Sequence, residues 1–145
     1  MKKEDREKID RMCQPRGIAI FGSMSRSGAF AHTILLSHQI YGFQGGIYPI
    51  SQSGDKVAGL KIYRRLSDVE GPVDLACIAV PFQAVLGVLQ ECLDYGVTGV
   101  TIQTSGFAET GRPEGIALQK EIERFAEQGL MVVGPNCFGI HCPKG

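Results

Sequence analysis

The sequence predicts an α/β fold: a Rossmann-like, doubly wound parallel sheet formed by a single domain. Short apolar runs alternate with amphipathic segments of helical spacing, and this alternation is typical of parallel sheets with crossover helices. The run at residues 75–80 is apolar at every position, as expected of a strand covered by helices on both faces. With 145 residues and 43% hydrophobic side chains, the chain is long enough to bury one core.

The first segment of the chain is predicted to lie outside the sheet. Residues 2–13 are rich in charge and helix-prone, and Pro15 interrupts this pattern. We therefore expect a helical extension over residues 1–14 and the sheet-forming domain over residues 15–145.

Five apolar runs are predicted to form the main sheet. Each is followed by glycine, proline or polar residues, which end a strand and turn the chain. The runs are residues 17–21, 46–50, 75–80, 97–102 and 130–133. A further short run, residues 60–63, predicts an edge strand.

The helix after the first strand is predicted to bury Phe30, Ile34 and Tyr41, with Ala31 and Leu35 beside them, because these residues recur at helical spacing. Right-handed crossovers place such helices on both faces of the sheet.

Two further helices follow the third and fourth strands of the sheet. Pro81 is predicted to begin the first of them, since a proline at the first turn loses no hydrogen bond. Its buried stripe comprises Phe82, Val85, Leu86, Leu89, Cys92 and Leu93. The second covers residues 114–128, and its inward residues are Leu118, Ile122, Phe125 and Ala126.

Charge and cysteine content argue against several functions. Fifteen basic and fifteen acidic side chains cancel, so no nucleic-acid or membrane surface is predicted. No apolar run reaches the roughly 20 residues of a membrane span, and no signal peptide is evident, so a cytoplasmic location is expected. The five cysteines form no C-x-x-C pair, which disfavours a metal site or a disulfide framework.

The turn after the first strand, residues 22–28, is a candidate phosphate site. Glycines let a backbone approach a phosphate, and the following helix presents free N–H groups at its positive end. The spacing is neither G-x-G-x-x-G nor a P-loop, so a plain helix-capping turn remains the alternative. The candidate residues are Gly22, Ser23, Ser25, Arg26, Ser27 and Gly28.

The tip of the second strand carries no carboxylate. A domain that binds NAD places an acidic side chain there to hold the ribose hydroxyls, whereas this chain has Ile50-Ser51-Gln52-Ser53. An uncharged tip suits a ribose that itself bears a phosphate, as in NADP or coenzyme A. An ordinary polar loop is the other interpretation.

Three later junctions complete the predicted crevice. Val80-Pro81-Phe82 offers a wall for an adenine ring or a simple helix start, and Ser105-Gly106 offers free N–H groups. Glu109 is expected to order that loop. In the Gly-Pro-Asn-Cys turn, Asn136 is expected to donate to a ligand carbonyl or thioester. Cys137 is not expected to be a nucleophile, although His141 follows four residues later.

Taken together, five segments resemble the CoA-binding domain of NDP-forming acyl-CoA synthetases, a family that includes the succinyl-CoA synthetase α-subunit. The resemblance covers residues 15–143 and is most specific in its last two segments. The ADP-forming acetyl-CoA synthetase branch is the more similar one, because of the Ser-Gly-Phe-Ala-Glu segment. The segments are residues 20–23 with Gly28, residues 45–50, residues 73–76 with 79–81, residues 105–109 and residues 134–139.

The resemblance assigns roles to the residues of each junction. It implies that Ser23, Ser25, Arg26, Ser27 and Gly28 contact the phosphates of coenzyme A. It implies that Val80 and Pro81 form a wall against the adenine ring and that Ser105 and Gly106 also belong to the site. It places Asn136 and Cys137 near the pantetheine thiol.

The strand-two tip departs from the family pattern. Family members usually read Pro-Val-Asn-Pro-Lys there, and the lysine holds a nucleotide phosphate; this chain reads Pro49-Ile50-Ser51-Gln52-Ser53. Pro49 and Ser51 are still expected to belong to the CoA-binding site. Lys56 or Arg26 is expected to supply the missing charge.

The resemblance also implies partners. Synthetases of this kind relay a phosphoryl group through a phosphohistidine in a following domain and bind the nucleotide in an ATP-grasp domain, and no histidine here matches the relay position. The chain is therefore expected to bind CoA or acyl-CoA without completing the reaction by itself. An NADP-binding domain of an oxidoreductase and a free-standing CoA-binding regulatory protein remain the alternatives.

Overall fold

The computed structural model describes residues 2–25 and 27–142 and confirms the predicted α/β architecture. Its main sheet has five parallel strands in the order β2-β1-β5-β6-β7. These strands are β1 (Gly17–Gly22), β2 (Gly46–Ile50), β5 (Leu75–Ala79), β6 (Gly99–Ile102) and β7 (Met131–Val133). Between β2 and β5 the chain forms a small hairpin of β3 (Lys56–Val57) and β4 (Leu60–Lys61).

Four α-helices accompany the sheet in the described part of the chain. They are α1 (Lys3–Cys13), α2 (Phe30–Ile40), α3 (Val85–Tyr95) and α4 (Pro113–Glu127). In β1 the side chains alternate between two cores, as the two-residue period of a strand requires. Ala19 and Phe21 join the core that includes Val85 and Ile122 of α3 and α4, whereas Ile18 and Ile20 join the core of α1 and α2.

The N-terminal helix packs against the sheet. Met12 is buried against the start of β6, where the absence of a side chain at Gly99 leaves room for its sulfur. Lys8 Nζ donates to the carbonyl of Gly129 at 3.0 Å. The predicted extension is therefore attached to the domain, while its division from the domain at residue 14 stays a prediction.

The predicted inner face of α2 is partly wrong. Ala31 and Leu35 are buried, but Phe30 is 46% exposed and Tyr41 is 87% exposed. Phe30 begins the helix and Tyr41 lies beyond its last residue, so both project past the sheet that covers the middle of the helix. Ile34 is intermediate.

The segment at residues 60–63 was expected to be an edge strand of the sheet and is instead half of the hairpin. Ala58 and Gly59 both have positive φ values, 47° and 81°, as a two-residue type I′ turn requires. Alanine seldom occupies that position, so residues 56–61 do not show the usual pattern of a hairpin turn. A single bridge between Ile50 and Tyr63 connects this region to the sheet.

The predicted boundaries of the third helix and of the next strand shift by a few residues. Pro81 precedes a short 3₁₀ turn, Phe82–Ala84, and α3 begins only at Val85. At the other end, Gly96 is left-handed and the N–H of Val97 donates to Cys92. That hydrogen bond belongs to the helix cap, so β6 begins after residue 97.

Asp74 is a buried charge at the amino edge of the sheet, and Arg16 is its partner. The Asp74 carboxylate, only 2% exposed, accepts hydrogen bonds from the Arg16 backbone N–H at 2.9 Å, Nε at 2.9 Å and Nη2 at 2.8 Å. The bonds from the Arg16 side chain hold the pKa of Asp74 below its usual range, against the opposing effect of burial.

Asp74→Asn is expected to lower the free energy of unfolding by about 2 kcal/mol near neutral pH, because charge-assisted hydrogen bonds are lost. A depressed pKa means that the contribution of Asp74 is complete above its unfolded pKa of about 3.9 and disappears as the pH falls through its folded pKa. The stability difference between wild type and variant should therefore begin to shrink only below about pH 3.9 and disappear only below the depressed folded pKa of Asp74. Urea unfolding across this range measures the effect, with exposed Asp68→Asn as control; a difference independent of pH would contradict it.

Candidate functional site

Four predicted junctions lie side by side at the carboxyl edge of the sheet. Ser23, Pro81, Ser105 and Asn136 follow the ends of β1, β5, β6 and β7, which are neighbours in the strand order. All four strands are parallel, so their carboxyl ends meet at one edge. The topology thus brings these segments to one edge, the edge where open α/β sheets bind ligands.

The first turn fits closely against the sheet. Gly22 has a φ of +151°, and a side chain there would bring its Cβ to 2.6 Å from the Ala79 carbonyl oxygen and 2.7 Å from Ala31 Cβ. The buried side chain of Met24 anchors the turn, while the hydroxyls of Ser23 and Ser25, 3.3 Å apart, face solvent.

The rest of the first turn leads into α2. Ser27 and Gly28 are exposed, and Gly28 has a φ of +87°. Arg26 lies outside the described residues, so its predicted phosphate contact stays a prediction. The N-cap of α2 is Ala29, which makes no side-chain cap hydrogen bond, and the first turn of the helix has no acidic residue. The start of α2 therefore carries no carboxylate that would repel an anion.

The strand-two tip is more enclosed than expected. Pro49 is buried within β2, and its carbonyl accepts from the N–H of Tyr63 at 2.9 Å. Ser51 is 8% exposed and donates its N–H to the Tyr63 carbonyl at 2.9 Å. Lys56 lies on the exposed side of the hairpin in β3. The carbonyl of Pro49 and the N–H of Ser51 are thus both hydrogen-bonded to the backbone of Tyr63.

Arg64 is a cation at this tip that sequence reasoning missed. Its Nη1 donates to the Ser51 carbonyl at 2.9 Å, and its Nη2 lies 3.2 Å from Asp55 Oδ1. The side chain is 44% exposed, and the pair with exposed Asp55 is a surface pair of small energy. No sequence signal indicated this residue, because it reaches Ser51 from thirteen positions away through the hairpin and the Ile50–Tyr63 bridge.

Thr104 ties three of the junctions together. Its hydroxyl donates to the Val80 carbonyl at 2.7 Å, and its own carbonyl accepts from the N–H of Asn136 at 3.0 Å. Val80 is partly buried, and Pro81 beside it is exposed. The loops after β5, β6 and β7 are therefore held in fixed relation by one residue that the sequence did not mark as important.

The loop after β6 is ordered by aromatic packing and by Glu109. Phe82 and Phe107 pack edge to face with ring centroids 4.8 Å apart. Gly106, with a φ of +113°, lies against the Phe82 ring, where a Cβ would approach to 3.2 Å. Its N–H donates to Glu109 Oε1 at 2.6 Å, and this hydrogen bond chiefly lowers the pKa of Glu109.

The ordering role predicted for Glu109 is thereby confirmed, but the free N–H expected at Gly106 is not there. The Glu109 carboxylate already occupies that donor. Ser105, one residue earlier, is exposed and remains the group of this loop that faces the crevice.

The last turn places Asn136 and Cys137 differently. Asn136 is exposed in the left-handed conformation, with a φ of +53°. Cys137 is partly buried: its N–H donates to the Ile102 carbonyl at 3.2 Å, and its thiol donates to the Val133 carbonyl at 3.4 Å. The non-nucleophilic role of Cys137 stays a prediction.

The described residues offer no cluster of histidine, cysteine and carboxylate side chains suited to a metal ion. Nor is any helix among them both long and apolar enough to traverse a bilayer. Their five cysteines are free thiols. The polar groups described at this edge include hydroxyls, amides, backbone N–H groups, the Cys137 thiol, the Glu109 carboxylate and the Arg64 guanidinium.

A parallel sheet that carries Gly-, Ser- and Asn-containing loops at its carboxyl edge has the architecture of a nucleotide-binding α/β domain. Residues 16–143 match the CoA binding domain family, and the chain belongs to that family.

The curated relatives include enzymes that form acyl-CoA thioesters. The chain is 39% identical over 134 residues to the α subunit of ADP-forming acetate–CoA ligase II from Pyrococcus furiosus, covering 91% of this chain and 29% of that protein. It is 34% identical over 134 residues to a trans-feruloyl-CoA synthase from an unknown prokaryotic organism, covering 92% of this chain and 19% of that protein.

A solved structure is also similar. The dinucleotide-forming acetyl-coenzyme A synthetase 1 of Ca. Korarchaeum cryptofilum superposes with a TM-score of 0.85 at 39% identity, covering 90% of this chain and 28% of that chain. The chain is thus a CoA-binding domain of the kind found in ADP-forming acyl-CoA synthetases, and it spans less than a third of the length of these proteins.

Proposed function

We propose that this chain is the CoA-handling module of a larger ADP-forming acyl-CoA synthetase. The observation that carries the proposal is the joining of neighbouring loops at one sheet edge, through Thr104 and through the contact of Phe82 with Phe107. A loop edge fixed in this way is preorganised for one extended ligand, which lowers the ordering cost of binding.

The nucleotide end of CoA is assigned to the β1 and β2 side of the crevice. The diphosphate would lie near the N-terminus of α2, whose first turn has no acidic residue, and close to the Ser23 and Ser25 hydroxyls. Arg64 would face the phosphate on the ribose, because it is the described cation bonded to the strand-two tip. Val80 and Pro81 would cover one face of the adenine.

The pantetheine arm is assigned to the β6 and β7 side. Ser105 and Asn136 are exposed polar side chains there, suited to the amide groups of the arm. The thiol would lie near Asn136, whose carboxamide donates to a thioester carbonyl. The module thus binds and orients the thiol, and the phosphohistidine and ATP-grasp domains of partner regions supply the phosphoryl transfer. A cytoplasmic location stays a prediction.

Titration of the purified chain with CoA, dephospho-CoA and NADP tests this function. We expect CoA to bind about tenfold more tightly than dephospho-CoA, which lacks the ribose phosphate, since a charge-assisted contact is worth about 1.5–3 kcal/mol. Isothermal titration calorimetry measures all three affinities. Tighter binding of NADP than of CoA would contradict the proposal and favour the oxidoreductase alternative.

The Arg64→Gln variant tests whether Arg64 contacts the ribose phosphate in the same titration. We expect the variant to lose most of the preference for CoA over dephospho-CoA, while dephospho-CoA binds as before. Arg65→Gln is the matched control, since Arg65 is the exposed neighbour in sequence. Equal losses for both ligands would place Arg64 away from the ribose phosphate, and Lys56→Gln would then test the other cation of the tip.

A further inference from the structure

Two half-buried cysteine side chains from near the two ends of the sequence meet beside the sheet. Cys13 is the last residue of α1, and Cys142 lies beyond the last turn of the candidate site. Both are free thiols, and a hydrogen bond joins their side chains. The proposed contacts with CoA use neither residue.

The end of α1 holds Cys13 at the amino edge of the sheet. Met12, the preceding residue, is buried, and its sulfur occupies the space that a side chain at Gly99 would take at the start of β6. The N–H of Gln14 donates to the Asp10 carbonyl at 3.0 Å, so helical hydrogen bonding continues past Cys13. The position of Cys13 is therefore fixed by α1 and its packing.

Residues 138–142, here called the strap, lead to the same point from the opposite edge. The strap follows Cys137, whose N–H donates to the carbonyl of Ile102, at the end of β6, at 3.2 Å. Ile140 lines the same open space as Leu75, which begins β5. Two residues further, the strap reaches the end of α1. It thus crosses the sheet face from the carboxyl edge toward the amino edge.

The other three cysteines are less suited to reaction with a reagent in solution. Cys77 is 5% exposed and Cys92 is fully buried, and burial chiefly raises the pKa of Cys77 to about 11. The thiol of Cys137 donates to a backbone carbonyl. Partial burial first, and then the hydrogen bond with Cys142, raise the pKa of Cys13 as well. The proximity of Cys13 and Cys142, not an unusually acidic thiol, therefore distinguishes this pair.

We propose that Cys13 and Cys142 are a reversible modification site, at which exchange with a low-molecular-weight disulfide forms one disulfide bond that fastens the strap to α1. The inference goes beyond the proposed function, because it requires no CoA. One cysteine thiolate attacks a sulfur of the small disulfide, whose S–S bond breaks, and the first small thiol leaves with a proton. The second cysteine attacks the protein sulfur of this mixed disulfide and releases the second small thiol with the other proton. The pair loses two electrons, which the small disulfide gains.

The fold favours the second step of this exchange. The two cysteines are far apart in sequence, so their sulfurs seldom meet in an unfolded chain, whereas in the folded chain they are hydrogen-bonded neighbours. The second attack is therefore intramolecular at a high effective concentration, and the mixed disulfide should not accumulate. Because the bond closes a loop of about 130 residues, it restricts the unfolded chain and should stabilise the domain.

Oxidation of the purified chain with glutathione disulfide at about pH 8, followed by alkylation and peptide mass spectrometry, tests the inference. Digestion with trypsin and chymotrypsin separates Cys137 from Cys142, because Phe138 lies between them. We expect a Cys13 peptide linked to a Cys142 peptide, with the other three cysteines alkylated. A stable glutathione adduct without this link, or a linked pair that includes another cysteine, would overturn the inference.

Thermal melts measure the consequence of the bond. The midpoint of the oxidised chain should lie at least about 5 °C above that of the reduced chain, and dithiothreitol should restore both the lower midpoint and all five thiols. An unchanged midpoint in the linked chain would show that the bond does not fasten the strap, contrary to the proposal.

Three serine variants locate the effect. Cys13→Ser and Cys142→Ser should each abolish both the link and the rise in the midpoint, whereas Cys137→Ser, the matched control, should keep both. Oxidation in concentrated urea gives a control that needs no substitution, because the preference for the Cys13–Cys142 pair should disappear there. The same dominant pair in urea would overturn the inference that the fold brings these thiols together.

Discussion

Phe107→Ala is expected to destabilise the domain by about 4 kcal/mol, the largest loss among the single substitutions considered. The Phe107 ring is fully buried and packs edge to face on Phe82, so its removal leaves a cavity between the loops after β5 and β6. Because domains of this size have a total stability of about 5–15 kcal/mol, the loss should be evident in a urea titration as a large fall in the unfolding midpoint.

Phe138→Ala is the matched control for that substitution. Phe138 is 94% exposed, so the same chemical change should alter the free energy of unfolding by no more than about 0.5 kcal/mol. Similar losses for the two variants would mean that Phe107 does not anchor the loop. Phe107→Ala should also weaken CoA binding, since Ser105 lies on the loop that the ring holds.

Gly22→Ala is expected to cost about 3 kcal/mol in stability and at least about tenfold in CoA affinity. The new Cβ would meet the carbonyl oxygen of Ala79 at 2.6 Å and Ala31 Cβ at 2.7 Å, and the φ of +151° is itself unfavourable for alanine. Relief requires α2 to move away from the sheet, and that movement displaces the helix N-terminus proposed to hold the diphosphate. Thermal melts and CoA titration measure the two effects.

Gly87→Ala is the matched control: the same glycine-to-alanine change is expected to raise the stability of the domain there. Gly87 lies inside α3, is exposed, and has nothing within 4 Å of the position of a Cβ. Alanine is the better helix former, so a gain of about 0.5–1 kcal/mol is expected, with CoA affinity unchanged. If Gly22→Ala and Gly87→Ala were equally tolerated, the close approach at the first turn would not constrain the site.

The sequence was sufficient for the fold because its signals are local. The alternation of apolar runs with helical segments predicted all five strands of the main sheet, with boundaries shifted by at most two residues in the described chain. Gly22, Gly96 and Gly106 stand where the backbone takes positive φ values, so turns could be located without knowledge of packing. The resemblance then indicated which family uses this set of junctions.

The exposed ends of α2 were not predicted correctly from helical periodicity. Phe30 and Tyr41 have helical spacing and apolar rings, yet they extend beyond the covered part of the sheet. Sequence periodicity predicts which face of a helix is turned toward the sheet. How many residues of that face are covered depends on the neighbouring strands. The exposed Phe30 ring lies instead near Phe138, with 6.5 Å between the two ring centroids.

By itself, the sequence determined the class of sheet, the loops at its carboxyl edge and the family to which those loops are similar. Only the tertiary structure decided that Arg64 bonds to the strand-two tip, that Thr104 joins three loops, and that Gln103 has a buried oxygen without a partner among the described residues. The physical reason is that these contacts depend on tertiary pairing: the β5–β6 and β6–β7 pairings bring Thr104 beside Val80 and Asn136, and the Ile50–Tyr63 bridge brings Arg64 to Ser51.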